Sequence, residues 1–149
     1  MYIYLDQPVG RLGEGERFIL WAMRGWSHAI ERGLCPPLAL CRGFTAVKAL
    51  SALPDFHLAM ALLNRDALAR ISVGPMEYEK IMEDEAILLG LWRDIALGDF
   101  DHMRETLALL IEEDVVAATS QAMTAAMAKF VAAGFDVSGL VRETLKEEK

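Results

Sequence analysis

Apolar residues recur at helical spacing along most of this chain, and glycines and prolines separate the segments in which they do. In the first of these segments four apolar residues follow one another at intervals of four, namely Phe18, Ala22, Trp26 and Ile30. Such spacing places them on one face of a helix. We predict this helix from about Glu14 to Arg32, because acidic side chains favour its first turn and Gly33 lies just beyond its end.

The same criterion predicts three further helices. A second lies between the prolines at 36 and 54, and a third covers about 55–71, after which Ser, Gly and Pro break the pattern. The fourth carries Glu77 and Glu79 in its first turn and ends at Gly98. Each of the three carries apolar residues three or four apart, so each is expected to bury one face.

The segment Asp99–Ala133 contains 35 residues without a glycine or proline. We predict one long helix here, with Asp99 as its N-cap and Gly134 just past its end. A single helix of this length would extend about 52 Å at ~1.5 Å per residue, which is long for a small domain. The competing interpretation is a break near the acidic residues 112–114.

These elements predict an all-α fold, a compact bundle of five to six helices in a single domain spanning 1–149. Residues 1–13 form an extended N-terminal arm, residues 14–133 form the helical core, and residues 138–149 form a short helix and charged tail. The composition agrees, since 54% of the residues are hydrophobic and 25% are charged, as in globular rather than disordered chains.

The second half of the long segment is nearly uncharged and rich in small residues. A helix that is apolar on most sides needs cover on most sides. We predict that a second copy provides this cover in a homodimer, through Ala118, Ala122, Met123, Ala126 and Met127. The alternative is that this helix is the central helix of the monomer.

Charge and targeting features limit the partners. The formal net charge is −7, and the 15 basic residues are scattered rather than clustered, so we expect neither nucleic acid nor a membrane surface as partner. No uncharged apolar run is long enough to span a bilayer, and the first residues do not resemble a signal peptide. With only two cysteines, the chain is predicted to be cytoplasmic.

Two His–Glu pairs are the strongest hint of chemistry. His28 and Glu31 share a helix face, as do His102 and Glu105, because residues three apart lie on the same side. Di-iron bundles use a Glu-x-x-His pair on each of two helices and carboxylates from two others. Here the order is reversed and the additional carboxylates are not evident. We therefore favour two solvated polar faces and expect no metal.

The two cysteines suggest a weaker possibility. Cys35 and Cys41 could join His28 in a zinc site, or one of them could act as a nucleophile with His57 as its base. The spacing matches no common zinc pattern and a fourth ligand is lacking. Free cysteines in an apolar setting are usually small buried hydrophobes, so we expect a structural role for both.

The sequence thus favours a non-enzymatic interaction or regulatory protein that needs no cofactor, homodimeric and with a possible protein partner. The first alternative is a small-molecule or cofactor-binding protein that holds a haem, a flavin or a lipid-like ligand. Its apolar pocket would be built from Trp21, Trp26, Trp92, Met123 and Met127. The second alternative is a metal-dependent enzyme built on the two His–Glu pairs.

Overall fold

The structure, a computed structural model, describes residues 4–134. This part of the chain is all-α, as predicted, and its only β-type pairings are two isolated bridges. The six helices are α1 Glu14–Glu31, α2 Pro36–Ala46, α3 Leu53–Arg65, α4 Glu83–Leu97, α5 Phe100–Leu110 and α6 Val116–Ala132. The predicted short helix and tail at 138–149 lie outside the described residues.

Glycine ends three of the helices as expected. Gly33, Gly98 and Gly134 follow α1, α4 and α6, and all three have positive φ angles between 70° and 85°. A side chain would be strained in this left-handed conformation, whereas glycine adopts it readily. The prediction was wrong at Pro54, which lies in the first turn of α3 instead of ending α2. Proline is tolerated there because that amide has no helical acceptor.

The third and fourth helices are both shorter than predicted, and the connecting segment 66–82 between them is not helical. The backbone amide of Leu68 donates to the carbonyl of Leu110, and the amide of Glu112 donates to that of Asp66. These bonds draw the start of the connecting segment to the junction of α5 and α6. The first turn of α4 begins at Glu83 rather than at Glu77.

The long segment is two helices, so the competing interpretation is correct and the single long helix is wrong. Ile111 ends α5 in an extended conformation, with φ −133° and ψ 166°, and its side chain is buried. The acidic residues 112–114 that follow are exposed. Burial of Ile111 and solvation of the carboxylates both favour a bend here over a continuous helix.

Helix α6 packs one face into the bundle and exposes the other. It packs against α3, α4 and α5, and Phe130 joins a buried group of aromatic rings in which its centroid lies 5.9 Å from that of Phe44. Phe56 of α3 stacks on Trp92 of α4 in the same group. Of the described helices, the stretch Glu113–Ala132 is long and apolar enough to cross a membrane by length and composition alone. Core helices pass the same test, but 39% of this stretch is buried, so its buried face accounts for only part of its apolar composition.

The predicted interface residues are mostly part of this core. Ala122, Met123, Ala126 and Met127 are buried within the single chain, and Ala118 is exposed. The chain itself covers these four residues, but α6 also has an exposed face that includes Ala118, so it is not enclosed by the other five helices as the alternative interpretation had it. A dimer contact through the four buried residues would require α6 to separate from its own neighbours, so their assignment as interface residues is corrected; association of two copies, through Ala118 or elsewhere, stays a prediction.

The described part of the N-terminal arm lies against the connecting segment. Asp6 donates its backbone amide to Ile81, whose own amide donates to the carbonyl of Gln7. Tyr4 and Leu12 are buried at the two ends of this contact. The arm therefore has a partner for its backbone, and the partner is the non-helical stretch before α4.

Candidate functional site

A cleft of about 410 Å³ lies between the second half of α1, the end of α3 and residues 70–73. We call these four residues the strap. The lining residues are Trp26, Ser27, Ile30, Glu31, Asn64, Arg70, Ile71, Ser72 and Val73. The volume falls in the range of about 300–1,000 Å³ that is typical of small-molecule sites.

The cleft has an apolar floor. Trp26 is buried, and its indole N–H donates to Nδ1 of His57 on α3 across 2.9 Å. This bond satisfies the indole and fixes the ring between α1 and α3. A smaller space continues below the cleft and is bordered by Met60, Leu63 and Leu88. Neutral hydrogen-bonding groups lie above this floor, on Ser27, Asn64 and Ser72.

The strap is held from both sides and in its middle. Before it, residues 66–68 bond to the backbone at 110–112. Within it, the amide of Ser72 donates to Oδ2 of Asp84 at 2.7 Å. After it, the amide of Gly74 donates to Oε2 of Glu85 at 2.8 Å. One wall of the cleft is thus non-helical backbone that side chains of α4 hold in place.

A buried ion pair between Arg24 of α1 and Glu85 of α4 fixes the rest of the connecting segment. The guanidinium Nε and Nη2 lie 2.7 and 2.9 Å from the two carboxylate oxygens. Nη1 and Nη2 of Arg24 also donate to the backbone carbonyls of Tyr78 and Lys80, respectively. Glu85 also accepts from the amide of Met82, completing a capping box at the start of α4. Two charges are therefore buried with their hydrogen-bonding capacity well used.

The pKa of Glu85 follows from these contacts. Burial alone raises the pKa of its carboxyl group, but hydrogen bonds from Arg24, Met82 and Gly74, together with the positive charge of Arg24, outweigh burial and lower it below its ordinary value. The group is thus held ionised. Its role is to organise the wall of the cleft rather than to exchange protons.

A recess of about 200 Å³ continues the cleft along α1, and His28 and Glu31 border it. Both side chains are exposed, as the solvated polar face predicted. The other candidate pair lies on α5, where Nδ1 of His102 is 2.6 Å from Oδ2 of Asp94, and where Glu105 is exposed.

The structure does not bring the four metal candidates together. Among the described residues, the one group of three potential ligands within 4.8 Å of one another is Asp94, Asp99 and His102. Asp99 in this group is the N-cap of α5 and accepts from the amide of His102. The other two side chains, Asp94 and His102, bond to each other and join α4 to α5.

The other candidate residues are dispersed. Cys35 is exposed and Cys41 is half-buried, so the predicted burial of both cysteines is wrong for Cys35. The pocket of tryptophans and methionines does not form as proposed, because Trp92, Met123 and Met127 are buried in the core while Trp26 alone of the five borders the cleft. His57 pairs with Trp26 and with neither cysteine.

Sequence reasoning missed the residues that build the wall. Their charge predicts exposed positions for Arg24 on α1 and Glu85 on α4, yet their side chains are 3% and 0% exposed. One signal was available for Glu85. Apolar Ile81 and Leu88 are seven positions apart, and position 85 lies between them at spacings of four and three, on the same helical face.

Comparison with protein-family models, curated proteins and solved structures found no match to this chain. The geometry of the cleft therefore carries the functional argument.

Proposed function

We propose that this chain is a binding protein that holds a small organic ligand in the cleft between α1, α3 and the strap. The observation that carries the proposal is the combination of an apolar floor with a polar rim in a cleft of about 410 Å³. Ligand sites in proteins combine apolar walls, which supply affinity, with a few polar groups, which fix orientation. This proposal does not depend on the pocket for haem or flavin that was considered from the sequence.

The fixed wall supports the same proposal. The strap is anchored by Asp84, Glu85 and the backbone at 110–112. A wall that is already ordered loses little conformational freedom when a ligand binds, so more of the interaction energy appears as affinity.

The test is a fragment screen by saturation-transfer NMR, using aliphatic and aromatic fragments that carry an amine, a carboxylate or both. Ser27 borders the cleft, the recess and the space below, so Ser27→Phe is expected to abolish binding by filling it. Asn64→Phe fills the cleft from α3 and serves if Ser27→Phe does not fold. The matched control is Gln121→Phe at an exposed position of α6, which should bind as the unaltered chain does.

The proposal fails if fragments bind equally well to the folded cleft-filling variants and to the control. It also fails if no fragment binds at millimolar concentration, because a formed small-molecule site should hold some fragment in that range.

A second candidate is the interaction protein that the sequence favours. Its support is the pair of leucines at the start of α2, since Leu34 and Leu38 are 55% and 78% exposed. Leu34 precedes α2 by two residues and Leu38 lies in its first turn, and exposed apolar residues grouped in one region are typical of surfaces that other proteins cover. Sedimentation velocity at tens of micromolar protein tests self-association, and Leu38→Glu should weaken it. If the unaltered chain is a monomer at that concentration, the predicted homodimer is wrong.

A further inference from the structure

The rim of the cleft carries one charge of each sign, on opposite walls. Glu31 lies on α1 and Arg70 lies on the strap, and they are the charged residues among those that line the cleft. Oε1 of Glu31 is 3.9 Å from Nη2 of Arg70, and the side chains are 64% and 84% exposed. An exposed pair at this distance contributes little to stability. A ligand can therefore separate the two side chains without a large penalty.

The charges and the apolar surface lie at different depths of the same cleft. The carboxylate and guanidinium lie at the mouth, whereas Trp26, Ile71 and Val73 are buried or half-buried below them. A molecule that satisfies both levels has a charged end and an apolar end. Because the mouth holds both signs, a ligand with a single charge would be attracted by one wall and repelled by the other.

From this arrangement, and resting on the proposed function, we infer that the ligand is zwitterionic and has a large apolar substituent, as in an α-amino acid with an aromatic or branched aliphatic side chain. The ammonium group would bind Glu31, the carboxylate would bind Arg70, and the side chain would enter the apolar floor. The guanidinium suits this role because its planar fork accepts a carboxylate in two parallel hydrogen bonds.

The spacing fits this class of molecule. The amino nitrogen and carboxyl carbon of an α-amino acid are about 2.5 Å apart, from standard bond lengths and angles. They can therefore meet two opposite charges whose nearest atoms are 3.9 Å apart. A zwitterion with a long spacer between its charges would not contact both side chains in their present positions.

The test compares three probes of similar size by NMR titration or calorimetry. L-phenylalanine carries both charges, 3-phenylpropionate lacks the ammonium group, and 2-phenylethylamine lacks the carboxylate. We expect L-phenylalanine to bind about two- to fivefold more tightly than either comparison compound, because each of these lacks one contact with an exposed charged side chain and such contacts are weak.

Two substitutions assign the charges to their partners. Arg70→Gln should weaken binding of L-phenylalanine about two- to fivefold and leave 2-phenylethylamine unweakened. Glu31→Gln should weaken L-phenylalanine by a similar factor and leave 3-phenylpropionate unweakened. The matched controls are Arg65→Gln, an exposed arginine paired with Asp66 outside the cleft, and Glu105→Gln, an exposed glutamate on α5. Both should bind L-phenylalanine normally.

The outcomes separate this inference from the proposed function. The zwitterionic ligand is overturned if all three probes bind equally and neither Arg70→Gln nor Glu31→Gln changes their affinity. If Ser27→Phe abolishes binding in the same experiments, the cleft stands as a ligand site. If Ser27→Phe folds and leaves L-phenylalanine binding unchanged, the cleft itself is excluded. The inference of a zwitterionic ligand is also overturned if neither L-phenylalanine nor L-leucine binds at concentrations up to about 10 mM, since even very weak binding would be detected there.

Discussion

Helix α6 and the connecting segment 66–82 both lie against the core, and they are held there by different interactions. The inner face of α6 is apolar, with Met123, Ala126 and Phe130 completely buried. The connecting segment has no helix of its own and is fixed through Arg24 and Glu85, which bond to its backbone at four points. One region is stabilised by burial of surface and the other by satisfied hydrogen bonds.

The difference matters because the two kinds of contact fail in different ways. An apolar contact loses stability roughly in proportion to the volume removed. A buried ion pair is stable only while both partners are present, since either charge alone is left without compensation. The wall of the cleft depends on the second kind of contact. We therefore expect the cleft to be lost by single substitutions that leave the α3–α6 core intact.

The largest effect is expected for Arg24→Met. It leaves the Glu85 carboxylate buried without its guanidinium and removes the donors to Tyr78 and Lys80. Loss of one partner of a buried pair typically costs about 3–5 kcal/mol. Denaturant unfolding measures this loss, and amide exchange should rise first at residues 72–82.

The matched variant is the double substitution Arg24→Met with Glu85→Leu, which removes both charges. It should recover part of the lost stability, because no unpaired charge remains. If the double variant regains stability while amide exchange at 72–82 stays as fast as in Arg24→Met, the ion pair is what orders the connecting segment. A loss below about 1 kcal/mol for Arg24→Met alone would contradict the assigned role.

A similar or slightly smaller loss is expected for Met123→Ala in the α3–α6 contact. Truncation of a buried methionine costs about 2–5 kcal/mol, depending on how far the neighbours relax. Val131→Ala, at an exposed position of the same helix, should change stability by less than about 0.5 kcal/mol. Unlike Arg24→Met, Met123→Ala should leave fragment binding in the cleft unchanged at 25 °C. Loss of that binding would show that the two regions are coupled.

Features that depend on neighbouring residues were predicted far better than features that depend on distant contacts, for a physical reason. The predicted stripe of α1 is correct only in part, since Ala22 and Trp26 are buried but Ile30 is 42% exposed. The terminal glycines and the N-cap of Asp99 depend on residues within a few positions of one another. Local patterns therefore reveal them. The division of the long segment at Ile111 was visible only as an alternative, because the contact of Glu112 with Asp66 joins distant parts of the chain.

The wall of the cleft could not be predicted in the same way. Arg24 and Glu85 are 61 residues apart, and each is a charged residue on an amphipathic helix. Such residues are exposed far more often than buried. Only the pairing makes their burial tolerable, and the pairing is a property of the fold. The strap was likewise hidden, since its anchors are backbone groups, which every sequence has.

A smaller effect is expected from pH. The pKa of Glu85 is lowered in the folded chain from a usual value of 4.5. The carboxylate therefore contributes stability that is fully present above pH 4.5 and declines as the pH falls through the folded-state pKa. Unfolding free energies measured from neutral to acidic pH should fall less steeply in Glu85→Gln than in the unaltered chain. The exposed Glu105→Gln should follow the unaltered chain, and identical curves for all three would contradict the contribution of Glu85.

The smallest effect is expected for Asp99→Ala at the start of α5. Its carboxylate accepts from the amide of His102 at 3.3 Å, and the side chain is exposed. Loss of an N-cap costs about 1 kcal/mol, within a range of about 0.5–2. Asp99→Asn keeps the acceptor and should be close to neutral in denaturant unfolding. If the Arg24–Glu85 pair is important because it is buried, the exposed Asp99 contact must contribute much less to the free energy of unfolding. A loss of stability from Asp99→Ala as large as that from Arg24→Met would contradict the comparison between the two regions.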